Sequence, residues 1–137
     1  MRNSHVTVLE IDLKAIDHNL SYFKTKLHPE TKVLAVVKAF GYGSSSVEIG
    51  KFLEPKVAYF AVAYLDEGFA LREAGIKTPI LVLHPQKIHL EEIIKSCLEP
   101  NIYSINLLKA VIEAAKNLKV QNYPIHIKFN TGLNRLG

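Results

Sequence analysis

Five short apolar segments recur along the chain, each followed by residues with helical periodicity, except the last. This alternation constrains the fold more than any other feature. The segments begin near residues 33, 57, 79, 99 and 124, so successive starts are 24, 22, 20 and 25 residues apart. Strands separated by single helices form βα units, and consecutive βα units build a parallel sheet. The sequence therefore predicts an α/β fold with four βα units and a fifth strand.

Local signals mark the ends of several predicted elements. Asp12 is predicted to cap a first helix, which ends before Pro29. Asp66 is predicted to cap the helix after the second apolar segment, and Gly75 is predicted to end that helix. Residues 7–11 are predicted to form a short additional strand ahead of the first helix.

Two architectures share this pattern of strands and helices. A five-stranded doubly wound sheet suits a chain of 137 residues, whereas a complete (β/α)8 TIM-type barrel typically has about 250 residues. A doubly wound domain would cover its fifth strand with a helix, and no helical pattern follows Phe129. We therefore expect residues 1–137 to be about half of a (β/α)8 barrel domain.

The composition argues against several classes of function. The net charge is +4, but the basic residues are scattered among acidic ones, without the basic, aromatic-bearing face typical of nucleic-acid binding. No apolar stretch approaches the roughly 20 residues of a membrane span, and no signal peptide is visible. The six histidines lack metal-site spacing, and the single Cys97 suits a reducing compartment. We expect a cytoplasmic protein without a metal, nucleic-acid or membrane partner.

Lys38 follows an apolar run, 33–37, without polar alternation, which is typical of a strand buried on both faces. At the carboxyl end of such a strand, a partly buried amine can attack a carbonyl. Gly41, Gly43 and the serines at 44–46 then form a turn whose backbone amides can approach a phosphate. An amine beside a phosphate anchor suggests pyridoxal phosphate. The alternative is a surface lysine before an ordinary βα loop.

A second group of polar residues lies near the end of the chain. Lys128 and Asn130 are two residues apart on the last predicted strand, so they share a face and can reach the same site. Arg135 follows in a glycine-containing loop, and its guanidinium can hold a carboxylate or a phenolate through fork-like hydrogen bonds. The alternative is that Arg135 is an exposed loop residue without a ligand.

Both groups belong to longer motifs that resemble one family. The segment VVKAFGYGS around Lys38 resembles the cofactor-lysine motif of the alanine racemases, which commonly reads AVVKANAYGHG. Segments 61–75 and 79–83 resemble the next blocks of that family. The final HIKFNTGLNRLG is similar to the family's HLKxDTGMGRLG. Because the matches follow the family's order along nearly the whole chain, the chain is identified as a member of the alanine racemase family.

The resemblance implies a fold-type III pyridoxal-phosphate enzyme that interconverts L-alanine and D-alanine, and so supplies D-alanine for the cell wall. It also implies an N-terminal barrel, a C-terminal β domain and a homodimer. Lys38 matches the lysine that forms the internal aldimine and acts as a racemisation base, and Tyr42 matches a tyrosine that binds the phosphate. Leu83 matches an apolar cofactor contact, and Lys128 matches a lysine that is carbamylated in several members. Arg135 matches the arginine that contacts the cofactor's phenolic oxygen and the substrate carboxylate.

Four positions depart from the family's usual residues. Asn130 replaces an Asp, and Asn134 replaces a Gly. Phe40 replaces the Asn after the lysine motif, and Ser44 replaces a common His. We interpret the first change as a retuning near Lys128 and the other three as tolerated.

The sequence contains no counterpart of the second half of the barrel or of the β domain, from which the family draws the opposing tyrosine base. We therefore expect a racemase fragment that does not racemise alanine at a meaningful rate by itself. The alternative is a non-catalytic pyridoxal-phosphate carrier of the same fold type, but carriers lack the YG turn and the TGxxRLG block. A doubly wound signalling or flavin-binding domain would need an acidic cluster or a flavin loop, and the sequence has neither.

Overall fold

The structure of the chain, a computed structural model, describes residues 7–137. The described residues fall into two compact units, one that ends at residue 31 and one that comprises residues 32–137. In the described part of the chain, none of the helices has the length and apolar character needed to cross a membrane.

Helix α1 (Leu13–Lys24) is the regular element of the first unit. Asp12 caps it as predicted, because its carboxylate accepts hydrogen bonds of 2.8 and 3.3 Å from two backbone N–H groups of the first turn. The helix ends at Lys24, with Thr25 as its C-cap residue, and so does not continue to Pro29. The predicted strand at 7–11 is wrong, since these residues pair with no described strand and a sheet ladder needs a partner.

The second unit is a parallel sheet whose strands alternate with helices. The strands are β1 (Leu34–Val36), β2 (Tyr59–Val62), β3 (Ile80–Val82), β4 (Glu99–Ile102) and β5 (His126–Ile127). The helical segments are α2 (Lys38–Tyr42), α3 (Ser46–Leu53), α4 (Leu65–Glu73), α5 (Leu90–Lys95) and α6 (Ile105–Asn117). One 3-10 turn, Glu54–Lys56, follows α3, and a second, Lys87–His89, precedes α5.

The order of the strands decides between the two predicted architectures. The described sheet runs β1-β2-β3-β4-β5, so each strand pairs with its neighbours in sequence and all pairs are parallel. A doubly wound sheet would instead reverse its strand order at a switch point. Sequential parallel strands with right-handed crossovers place their helices on one face, which is the pattern of a (β/α)8 barrel. The barrel-type prediction is therefore confirmed, and the doubly wound alternative is wrong.

The hydrophobic core lies between the helices and one face of the sheet. Phe60 and Val62 of β2 are fully buried, as are their register partners Ile80 and Val82 of β3. The helices α4, α5 and α6 contact the central strands. Their buried side chains include Leu71, Leu90, Ile93, Leu107 and Val111. Each such side chain contributes about 1.5–3 kcal/mol relative to an exposed position, so this layer fixes the positions of the strand ends.

The opposite face of the sheet is of mixed polarity. The register places Val36, Ala61, Leu81 and Glu99 in one row across it. Leu34 and Val36 are 39% and 42% exposed on this face, so the expectation that β1 is buried on both faces is wrong. The physical reason is that β1 stands at one end of the described sheet and has a neighbouring strand on one side only.

Two further predictions about single residues have different outcomes. Tyr64, and not Asp66, is the N-cap residue of α4, and Asp66 lies within the first turn. Gly75 follows the end of α4 as predicted, with a φ of 91° that glycine adopts without strain.

Candidate active site

The carboxyl ends of the parallel strands form one edge of the sheet, and the five predicted site residues lie along it. Lys38 comes two residues after β1, and Tyr42 ends the short segment α2. Leu83 directly follows β3, Lys128 directly follows β5, and Arg135 lies in the loop beyond. In (β/α)8 proteins this edge of the sheet carries the active site.

The chain makes a left-handed turn directly after Lys38. Ala39, Phe40 and Tyr42 have φ values of 51°, 55° and 55°, and Gly41 has a φ of 63°. The sequence predicted a turn at the glycines, but the left-handed conformation begins at an alanine. Each non-glycine residue in this region is disfavoured by roughly 1–2 kcal/mol, so the surrounding structure must hold the turn in place.

Gly41 lies at the most crowded point of this turn. It is buried, and a Cβ atom there would lie 2.9 Å from the backbone nitrogen of Ser46. Its N–H donates a hydrogen bond of 3.1 Å to the carbonyl of Val37. At Gly43, which has a φ of 93°, the position of a Cβ is open. Gly41 is therefore required both for its conformation and for its small size, and Gly43 for its conformation.

Glu67 of α4 joins the start of the turn to the next loop of the sheet edge. Its carboxylate accepts a hydrogen bond of 2.6 Å from the backbone N–H of Ala39. It also accepts bonds of 2.6 and 3.3 Å from the N–H groups of Ala63 and Tyr64, which follow β2. Glu67 gives no distinctive signal in the sequence, because a glutamate in the first turn of a helix is typical of an ordinary capping residue.

Leu83, Lys128 and Arg135 line one cavity of about 410 Å³ at the β3–β5 side of the edge. Asn101 and His126 also line it. The side-chain amide of Asn101 donates a hydrogen bond of 3.1 Å to the carbonyl of Leu83, which fixes the backbone at the end of β3. The volume falls within the range of about 300–1,000 Å³ that is usual for small-molecule sites.

The loop between Lys128 and Arg135 is organised by Asn130. The side-chain oxygen of Asn130 accepts hydrogen bonds of 3.2 and 3.0 Å from the N–H groups of Gly132 and Asn134. Its side-chain nitrogen donates a bond of 2.9 Å to the side-chain oxygen of Asn134. Asn134 has a φ of 55°, which asparagine tolerates better than most residues do. The loop that presents Arg135 is thus closed by its own side chains.

A network of three side chains lies beside the cavity. The Glu99 carboxylate accepts a hydrogen bond of 3.0 Å from the Tyr59 hydroxyl, and His126 Nε2 lies 2.7 Å from the same oxygen. The rings of Tyr59 and His126 meet edge to face at 5.5 Å. Burial, followed by the hydrogen bond and negative charge of Glu99, raises the pKa of Tyr59. The three residues lie on different strands, and only the strand register brings them together.

The structure places the predicted site residues in two groups. Leu83, Lys128 and Arg135 share the cavity, whereas Lys38 and Tyr42 follow β1 and are absent from its lining. Lys38 is half-buried, Tyr42 is 66% exposed, and Arg135 is exposed. Within residues 7–137, no group of three His, Cys, Asp or Glu side chains could hold a metal ion.

Known proteins resemble this chain over nearly its whole length. The family model described as alanine racemase, N-terminal domain, matches residues 11–137. Alanine racemase 1 of Oceanobacillus iheyensis is 37% identical over 131 residues, which cover 94% of this chain and 35% of that protein. Alanine racemase 1 of Caldanaerobacter subterraneus subsp. tengcongensis is 39% identical over 135 residues, which cover 96% of this chain and 34% of that protein. The chain thus spans about a third of the length of these curated relatives.

Solved structures show the same relationship. The alanine racemase of Clostridium difficile 630 matches with a TM-score of 0.89 and 36% identity, covering 97% of this chain and 36% of that one. Its complex with cycloserine matches with a TM-score of 0.90 at the same identity, covering 97% of this chain and 38% of that one. Both the family model and the shared architecture lead to one assignment: the chain belongs to the alanine racemase family, whose N-terminal domain it matches.

Proposed function

We propose that this chain is the part of a pyridoxal-phosphate-dependent alanine racemase that carries the cofactor lysine. The reaction is the interconversion of L-alanine and D-alanine. One observation carries the proposal: Lys38 lies on the same edge of the sheet as Lys128 and Arg135, in a chain that belongs to the alanine racemase family.

The residues on this edge fit the chemistry of pyridoxal phosphate. Lys38 offers a half-buried amine to which an aldehyde can bind, and Tyr42 offers a hydroxyl group for a phosphate. Leu83 supplies an apolar contact for the pyridine ring, and Arg135 supplies a positive charge for the phenolic oxygen. The cavity that Leu83, Lys128 and Arg135 line is large enough for a small aromatic ring.

Each residue has a separate role in the proposed reaction. Pyridoxal phosphate, when bound, makes the α-hydrogen of an attached amino acid acidic. The Nζ atom of Lys38 removes or returns that proton from one face of the substrate, as a general base or acid. The guanidinium of Arg135 binds the substrate carboxylate. Lys128 is carbamylated in this proposal, and the resulting negative charge orients the guanidinium of Arg135.

The proposed site needs further parts of a barrel enzyme. Within the described residues, β1 and β5 each pair with one strand only, and the matched relatives are about three times as long as this chain. We propose that residues 1–137 are the N-terminal part of a barrel domain, and that other strands and a β domain supply the second base. Two such proteins form a homodimer. The D-alanine serves the cell wall, and the enzyme works in the cytoplasm, where the free Cys97 stays reduced.

Reductive labelling tests the role of Lys38. The chain is incubated with pyridoxal phosphate, reduced with borohydride, and digested, and the modified lysine is identified by mass spectrometry. We expect the label on Lys38, its loss in Lys38→Arg, and no change in Lys51→Arg, which alters an exposed lysine of α3. Label spread evenly over exposed lysines, with no loss in Lys38→Arg, would contradict the proposed cofactor site.

A turnover assay tests the need for the other parts. Exchange of the α-hydrogen of alanine for deuterium and formation of the opposite enantiomer are followed by NMR and chiral chromatography. We expect no meaningful racemisation by the 137-residue chain alone, because it lacks a base for the second face. Full racemase activity of this chain alone would overturn the proposed division of the site. If Lys38 is labelled but the protein completed with its other barrel strands and β domain does not racemise alanine, a cofactor carrier is favoured instead.

A further inference from the structure

We infer that Glu67 is a positioning residue for Lys38 and Tyr42. Its carboxylate links the left-handed turn that carries both side chains to the loop that follows β2. The inference rests on the proposed function, which gives Lys38 and Tyr42 their importance. The hydrogen bonds of Glu67 to the turn and to the loop after β2 are a property of this chain and can be measured without the cofactor.

The two carboxylate oxygens of Glu67 have different partners. Oε1 accepts a hydrogen bond of 2.6 Å from the backbone N–H of Ala39, 28 residues earlier in the chain. Oε2 accepts bonds of 2.6 and 3.3 Å from the N–H groups of Ala63 and Tyr64. One side chain therefore satisfies backbone donors from two neighbouring strand ends, and hydrogen bonds to a charged acceptor are stronger than neutral ones.

Helix capping accounts for only part of this arrangement. Glu67 is the third residue of α4, and a glutamate at that position commonly reaches back to the N–H of the N-cap residue, here Tyr64. A cap has no need of a contact with Ala39. The bond from Ala39 to Oε1 therefore serves the turn after β1, and this contact distinguishes Glu67 from an ordinary capping residue.

The position of Ala39 explains what this bond controls. The peptide N–H that Glu67 holds is the one joining Lys38 to Ala39, and Ala39 is the first residue of the left-handed turn. Ala39, Phe40 and Tyr42 all adopt a conformation that is disfavoured for non-glycine residues. Removing the acceptor frees the start of the turn to relax toward ordinary φ values. The backbone positions of Lys38 and Tyr42 relative to each other then change together.

A glutamine at position 67 separates the two roles of the side chain. An amide has a single acceptor oxygen, and that oxygen is best used where Ala63 and Tyr64 both donate. The amide nitrogen, itself a donor, then faces the N–H of Ala39. Glu67→Gln thus keeps the helix cap and loses the bond to the turn. Asp66→Asn is the matched control, because it removes an equal charge from the same helical turn and Asp66 is exposed.

Amide hydrogen exchange tests the link directly. In the unmodified chain we expect the Ala39 amide to be protected, since it is hydrogen-bonded to a carboxylate. In Glu67→Gln we expect amides of residues 39–43 to exchange about tenfold faster or more, with β2 and β3 unchanged and Asp66→Asn like the parent. Unprotected Ala39 in the parent chain overturns the inference without any variant. Equal acceleration throughout the sheet overturns it too, because Glu67 would then contribute only to general stability.

Cofactor labelling then connects the link to the site. We expect the rate of reductive labelling of Lys38 to fall about tenfold in Glu67→Gln and to stay unchanged in Asp66→Asn, because small displacements of a reacting group have large effects on rate. Faster exchange of the turn with unaltered labelling of Lys38 overturns the positioning role. If the parent chain shows no labelling of Lys38, the proposed function fails, while the exchange result still decides whether Glu67 holds the turn.

Discussion

The side-chain nitrogen of Asn130 donates a hydrogen bond of 2.9 Å to the side-chain oxygen of Asn134. These are two of the four positions at which the chain departs from the residues usual in its family. The Asn130 side chain was expected to act on Lys128, but its hydrogen bonds lie within its own loop. The two departures are therefore matched to each other, since an amide at either position can donate to an oxygen at the other.

The Asn130–Asn134 pair predicts a non-additive effect of two substitutions. Asn130→Asp and Asn134→Asp each leave one amide that can turn to donate to the new carboxylate, so we expect each single variant to change stability by less than about 0.5 kcal/mol. The double variant places two carboxylates at hydrogen-bonding distance with no donor between their side chains. We expect the unfolding free energy of the double variant to fall by about 0.5–1 kcal/mol more than the sum of the two single effects, as measured by urea unfolding. Strictly additive free energies would show that the two side chains do not interact.

The crowding at Gly41 predicts that an alanine there is more harmful than an alanine at Gly43. Both residues have positive φ, so both substitutions introduce strain of roughly 1–2 kcal/mol. At Gly41 the added Cβ also meets the backbone nitrogen of Ser46 at 2.9 Å, whereas nothing lies within 4 Å at Gly43. We expect Gly41→Ala to be the less stable variant in urea unfolding and to label more slowly at Lys38. Equal unfolding free energies would contradict the close contact with Ser46.

The Tyr59–Glu99–His126 network predicts an alkaline pH dependence. Because the pKa of Tyr59 is raised in the folded state, the folded chain holds this proton more tightly than the unfolded chain does. The stability linked to Tyr59 is therefore fully present below the ordinary tyrosine pKa of about 10, and it is lost as the pH rises through the folded value. Urea unfolding free energies measured from pH 8 upward should fall more steeply for the parent chain than for Tyr59→Phe.

Glu99→Gln separates the causes of that shift. The substitution removes the negative charge and weakens the hydrogen bond to Tyr59, but it leaves the burial of the ring unchanged. We expect the pKa of Tyr59 to move toward its ordinary value without reaching it, because burial is the largest cause. Ultraviolet titration of Glu99→Gln and of the parent, each corrected with its Tyr59→Phe counterpart, measures the change. An unchanged pKa would show that Glu99 does not act on Tyr59.

Much of the fold follows from local sequence patterns. The apolar segments predict the number of strands and their positions along the chain, and the helical stripes between them predict parallel pairing. The strand ends are less predictable: the last strand was expected to begin near residue 124, but β5 has regular pairing only at His126–Ile127. The residues that cap helices are predicted correctly in some cases and missed in others. Asp12 was predicted correctly, whereas Tyr64 was missed because tyrosine is not a typical N-cap residue.

The parts of the site that were missed depend on contacts between distant residues. The left-handed turn starts at Ala39, a residue type that gives no signal for positive φ. The bond from Ala39 to Glu67 and the contact of Glu99 with His126 span 28 and 27 residues. These contacts depend on which strands are adjacent and on the register of their pairing, and sequence motifs contain neither kind of information. The sequence can indicate that Lys38 matters, but the residue that holds its backbone emerges only from the folded chain.

The sequential order of the strands also bears on how the chain is made. Within the described sheet, each strand after β1 pairs with the strand synthesised just before it, so none of these pairs waits for a later segment to be inserted between its two strands. Register partners on neighbouring strands lie 18–25 residues apart in sequence, which is the separation of consecutive βα units, and folding is faster when the mean separation of contacting residues is smaller. The polypeptide can therefore add one unit after another as it leaves the ribosome. On this pathway the turn after β1 can be anchored as soon as Glu67 has emerged, before the loop bearing Arg135 has been translated.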